Sequence, residues 1–92
     1  MAQVILDTPS VGALVTDPIK IEDGETLLIS AYNNDEDFIL SRPILIRQKT
    51  PGVPNTLGVI TNGNRTLHVP GPITIIIVKP VLDEAFGLFT ES

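Results

Sequence analysis

Pro70-Gly71-Pro72-Ile73-Thr74-Ile75-Ile76-Ile77-Val78-Lys79 contains the longest apolar run of the chain, and its reading decides the fold. A Pro-Gly-Pro triplet can only be a sharp connection, so a new element begins at Ile73. Isoleucine, threonine and valine suit a pleated surface better than a helix. In a strand, side chains alternate, which places Ile73, Ile75 and Ile77 on one face and Thr74, Ile76 and Val78 on the other. Both faces are apolar, whereas a strand in a small antiparallel sheet normally turns one face to water. Thr74 makes its own face the less greasy of the two. Ile73, Ile75 and Ile77 are therefore assigned to the core, and Thr74, Ile76 and Val78 to a second contact, a subunit or partner interface. Its cover must come from a loop, from the amino-terminal segment or from another subunit. Ile76→Lys is expected to weaken self-assembly while sparing the fold.

Outward from this strand the chain is cut into short pieces. Glycine or proline recurs so often that, between one and the next, only residues 25–42 run free of both for more than seven positions. That gap is itself broken by Asn33-Asn34-Asp35-Glu36-Asp37, whose short polar side chains compete for backbone hydrogen bonds and favour turns. No helix of ordinary length fits, and the expected class is all-β: a small antiparallel β-sandwich or jelly-roll-like barrel of about eight short strands. Strands are expected near 3–8, 12–16, 18–22, 26–32, 38–41, 44–49, 56–61, 65–69, 73–79 and 85–90. Asp23-Gly24 and Asn62-Gly63 are expected to be tight hairpin turns, since both pairs can supply positive φ angles. Pro43 marks either a sheet edge or a bulge where one strand bends between sheets. Pro51-Gly52-Val53-Pro54-Asn55 reads as a longer loop.

With 92 residues the chain is one domain, whose core is thin for its length. Pro9, Gly12 and Pro18 set residues 1–18 apart as an amino-terminal arm or a first strand pair, with residues 19–92 as the sandwich body. The absence of cysteine removes disulfides, thiolate metal sites and thiol nucleophiles, so stability must come from packing. A net charge of −5 opposes binding to a phosphate backbone, and no nucleic-acid partner is expected. The apolar run from Ile73 to Val78 is far shorter than the roughly 20 residues of a membrane-spanning helix, so no membrane partner is expected either. Met1 to Asp7 lacks the basic and apolar regions of a secretion signal, so the chain is expected to stay in the cytoplasm where it is made. Charged residues make up only 18% of the chain, against about 25% on average, a dry surface for a small monomer.

Most chemical signatures are missing. Asn33, Asp35 and Asp37 have the alternate spacing of a calcium loop, but Phe38 stands where glycine is needed and Ile44 where the closing glutamate belongs. A solvated acidic turn is the expectation. Asp35 to Asp37 and Asp83-Glu84 could pair for glycosidic chemistry only at a fixed separation that nothing enforces. His68, between Leu67 and Val69, is expected on an exposed strand face without a second ligand or a nucleophile. Asn64-Arg65-Thr66 fits a glycosylation acceptor on a turn. Arg47 and Lys49 share a strand face near Arg42, and are expected to guard an exposed edge, with an acidic partner as the alternative. No enzyme, cofactor or metal is expected.

The order Ile21-Glu22-Asp23-Gly24-Glu25-Thr26-Leu27-Leu28-Ile29-Ser30-Ala31-Tyr32, then Val69 through Pro80, then Ala85-Phe86-Gly87-Leu88-Phe89, resembles the small β-sandwich virion proteins of tailed bacteriophages. The resemblance covers residues 19–92 and consists of turn-and-strand patterns, so no binding residue is carried across from the family. It implies a capsid decoration or cement protein in the virion, assembled in the host cytoplasm. Such a protein is often a trimer that sits on the major capsid protein and stabilises the outer shell by bridging subunits. A receptor- or carbohydrate-binding sandwich of a phage tail or fibre is the alternative, and a small hydrolase comes after it.

Overall fold

The computed structural model describes residues 3–33, 39–49 and 55–92. They form nine short strands: β1 (Gln3–Ser10), β2 (Leu14–Val15), β3 (Ile19–Ile21), β4 (Thr26–Tyr32), β5 (Ile44–Gln48), β6 (Asn55–Ile60), β7 (Thr66–Pro70), β8 (Ile73–Lys79) and β9 (Phe86–Glu91). All pairings are antiparallel, and no helix occurs among the described residues. One sheet has four strands in the order β1-β9-β4-β7. The other has five, in the order β2-β8-β5-β6, with β3 also pairing to β8. The chain is an all-β, two-sheet antiparallel sandwich.

The core lies between the sheets and is built from alternate residues of the central strands. On β8, Ile75 and Ile77 are fully buried, and Ile73 packs half-buried at the core margin. Ile77 lies opposite Ile46, and Ile44 opposite Ile60, which completes one inner face. Ile29 and Ala31 of β4, with Phe86 and Leu88 of β9, supply the other. Each such aliphatic or aromatic side chain contributes about 1.5–3 kcal/mol on burial, and that packing replaces the staples the sequence lacks.

Most connections carry the chain from one sheet to the other; only β2 to β3 and β5 to β6 stay within one. This changes the expected role of both turn dipeptides. Asp23-Gly24 does form a tight turn, closed by the Glu25 N–H donating to the Glu22 carbonyl at 3.1 Å, with Gly24 at φ 82°. Positive φ at the third turn residue is the type II geometry that glycine favours. Its arms are not a hairpin, however, because β3 pairs with β8 and β4 with β7 and β9. At Asn62-Gly63 the flanking Thr61 and Asn64 exchange backbone hydrogen bonds, but no positive φ occurs there. Unprimed turns splay their flanking strands, and here β6 and β7 part at once into different sheets.

Two other expectations are corrected. Residues 39–41 are not a strand: the Leu40 N–H donates to Asn62 Oδ1 at 3.0 Å while its side chain joins the core. Pro43 marks neither an edge nor a bulge but stands immediately before β5, a central strand between β8 and β6. A residue without an N–H is tolerated ahead of the ladder. At the amino terminus, β1 and β2 do not pair with each other. β1 forms an edge of the four-stranded sheet against β9, and β2 joins the five-stranded sheet against β8.

Candidate functional site

Two features stand out from the ordinary packing of a sandwich. The first is Lys79, the last residue of β8. Alternation from Ile75 and Ile77 forces it onto the core face, and its side chain is completely buried. Its Nζ lies 2.8 Å from Asp7 Oδ2, 2.8 Å from the Ser10 carbonyl, 3.1 Å from Ser10 Oγ and 2.6 Å from the Phe86 carbonyl. Two register irregularities in β1, between Ile5 and Asp7 and between Asp7 and Ser10, accompany the Asp7 and Ser10 oxygens, while the Phe86 carbonyl comes from β9. Asp7 also accepts from Ser10 Oγ at 3.2 Å, and the Asp7 carbonyl accepts from the Tyr32 hydroxyl at 3.3 Å. A β-carbon on Gly87 would collide with that same carbonyl, so glycine lets β1 lie close over β9. All three ammonium donors of Lys79 are engaged, and the arrangement ties the first strand to the opposite sheet.

The second feature is the outer face of the five-stranded sheet. Val15 lies opposite Val78, Val78 opposite Leu45, and Leu45 opposite Val59, which makes one unbroken aliphatic row across β2, β8, β5 and β6. Beside it Ile76 lies opposite Arg47, and further along β8 Thr74 lies opposite Lys20. Thr74, Ile76 and Val78 therefore occupy one face, as alternation requires, each half-buried by its sheet neighbours. Val15 is 63% exposed and Val59 40%. No strand of the other sheet packs over this row; β8 has its main contacts with β2, β3 and β5 of its own sheet.

The remaining sequence candidates do not converge. Arg47 is on the central strand β5 and guards no edge, a correction to the expectation for the Arg47 and Lys49 pair. Lys49 follows that strand, its N–H donating to the Thr74 carbonyl at 2.9 Å. Arg42 is exposed ahead of β5. His68 is exposed on the edge strand β7, opposite Leu28, beside an open cleft of about 280 Å3 lined otherwise by apolar residues such as Leu57 and Ile73. Asp83 and Glu84 are exposed, and Asn33 is half-buried. Asp35 and Asp37 lie outside the described residues. Arg65 of the glycosylation-like triplet donates to Asn62 Oδ1 at 2.8 Å and stacks 5.0 Å from the centre of the Phe86 ring. No cluster of three or more metal-ligating side chains occurs among the described residues.

No protein-family model, curated protein or solved structure matches the chain. Lys79 and Asp7 were not singled out from the sequence. Half of the signal was present, because position 79 has the parity of Ile75 and Ile77, but nothing in the order of residues pairs it with position 7.

Proposed function

We propose that this chain is a non-catalytic structural module that docks on a larger protein assembly through the outer face of its five-stranded sheet. The observation that supports this is the aliphatic row Val15, Val78, Leu45 and Val59, with Ile76 alongside, left without a covering element among the described residues. Scattered exposed aliphatics are ordinary on a soluble protein, whereas a contiguous row in strand register is the character of a contact surface. Within this reading, the resemblance to phage virion sandwiches makes the chain a head decoration or cement protein that binds the outer capsid shell and bridges its subunits. The role needs no chemistry. A protein that binds only the assembled shell stabilises it by mass action, by about 2.7 kcal/mol per site at a hundredfold excess over Kd. Self-association, expected as a trimer, falls in this reading to the free edge strand β1, where Val4 and Ile5 are 51% and 60% exposed.

The test is to titrate purified chain onto undecorated phage shells. Saturable binding with a raised shell melting temperature is the expected outcome. Absence of saturable binding, with glycan binding in its place, would favour the tail or fibre alternative and overturn this reading.

A further inference from the structure

We infer that the outer face of the five-stranded sheet receives an acidic protein surface with an apolar centre, and not a second copy of this chain. The inference rests on the docking role proposed above and specifies the chemistry of the partner. It starts from how charge divides between the sheets. The strands of the five-stranded sheet carry Lys20, Arg47 and Lys79 and no aspartate or glutamate, whereas those of the four-stranded sheet carry Asp7 and Glu91 and no lysine or arginine. Lys79 is turned inward and met by Asp7. The strands then carry Lys20, opposite Thr74, and Arg47, opposite Ile76, on the outer face, with Lys49 just beyond β5, while exposed Asp17 and Glu22 flank Lys20 at the β3 end. On a chain of net charge −5, the β5 side of the aliphatic row, with Arg47 and Lys49 and no acid on β5 or β6, is locally basic.

The basic groups are largely uncommitted. Lys20 reaches Glu22 at 3.7 Å, but both side chains are mostly exposed and such a pair holds little energy. Arg47 makes no ion pair among the described residues, and its buried Nε has no hydrogen-bond partner. A guanidinium in this position suits a carboxylate arriving on the face.

Self-pairing fits poorly in either geometry. A two-fold contact sets the same patch against itself and brings Arg47 and Lys20 of one copy toward those of the other, a like-charge arrangement. Stacking this face on the acidic sheet of a second copy is heterologous. The two outer faces of a sandwich point in opposite directions, so that contact extends into an open stack and does not close. A foreign surface with carboxylates around an apolar centre meets both requirements of the face.

The probe for this chemistry is laurate, an aliphatic chain ending in a carboxylate, compared with dodecyltrimethylammonium at equal concentration below micelle formation. Amide chemical-shift mapping should show saturable laurate perturbations centred on Val15, Leu45, Arg47, Ile76 and Val78, weakened by added salt, with the cation producing none. Arg47→Glu should lower laurate affinity about five- to tenfold. Lys49→Glu, at an exposed position beyond the strand, gives a smaller loss in the same direction and keeps the test open should Arg47→Glu fail to fold. Ile76→Lys, expected from the sequence alone to weaken self-assembly, should on this reading leave the sedimentation mass of the chain unchanged. Equal binding of the two amphiphiles, or perturbations confined to other surfaces, would overturn the acidic assignment. A fall in mass on Ile76→Lys would replace the foreign partner by a second copy. Pelleting with phosphatidylserine-containing vesicles would replace it by a lipid surface. Laurate binding at this face without shell binding would remove the capsid reading and leave the partner's chemistry standing.

Discussion

The two sheets bury their inner faces with the same kind of side chain but finish their outer faces differently. On the four-stranded sheet the outer groups serve one another. The Ser30 and Thr66 hydroxyls share a hydrogen bond of 2.7 Å, Tyr32 and Phe89 meet edge to face at 5.6 Å, and the Tyr32 hydroxyl reaches the Asp7 carbonyl. On the five-stranded sheet the corresponding positions are an aliphatic row flanked by Arg47 and Lys20. The first face is satisfied within the chain over β4, β7 and β9, with Ile5 left exposed at its β1 edge, and the other offers apolar area and positive charge to whatever covers it. A shared architecture thus says little about which surface works. The pairing of specific residues across strands decides that.

The point where the charges of the two sheets meet, Asp7 against Lys79, carries the largest expected effect. Asp7→Ala leaves a buried ammonium without its counter-ion, and chemical denaturation should show a loss of about 3–5 kcal/mol. Lys79→Met, which removes the buried charge and keeps the volume, should cost clearly less. Equal losses would mean that the two sheets are tied by packing there and not by charge.

Next comes the inner face against the outer one. Ile77→Ala should cost about 2–5 kcal/mol, while Ile76→Ala, its neighbour on the opposite face, should cost less than half as much in the same denaturation series. Similar losses would show that the outer face is already covered within the chain.

On the four-stranded sheet, Gly87→Ala pushes a methyl group toward the Asp7 carbonyl and the Tyr32 ring. Overpacking of this kind costs about 1–3 kcal/mol, read as a lowered Tm. Ser30→Ala, which leaves Thr66 without its hydroxyl partner, should cost about 1 kcal/mol. At the small end, Lys20→Ala on the other sheet should leave stability within about 0.5 kcal/mol of the parent, because the exposed pair with Glu22 contributes little. A large loss there would end the distinction between a self-satisfied face and an open one.

Much of this was legible in the order of residues. The glycine and proline punctuation excluded helices, and the run from Ile73 to Lys79 displayed its strand parity directly. That parity distinguished the buried Ile75 and Ile77 from Ile76 and Val78. What misled was local turn chemistry. Asp-Gly and Asn-Gly signal a sharp reversal, but the reversal alone does not determine whether the flanking strands pair or diverge. Here both turns pass the chain between sheets. Arg47 was misplaced for a related reason: a charge in a strand reads as an edge device, yet β5 is central and its outer side is open.

The sequence by itself determined the class of structure and the two-sided apolar strand, because periodicity and backbone preference are local properties of neighbouring residues. Only the tertiary structure decided the company each strand keeps. Asp7 reaches Lys79 across 72 positions through irregularities in β1 that no short pattern encodes. The row Val15, Val78, Leu45 and Val59 likewise draws on four separate strands spread from position 14 to position 79. Which side chains share a surface is fixed by strand order and register, and those emerge only when the whole core is packed.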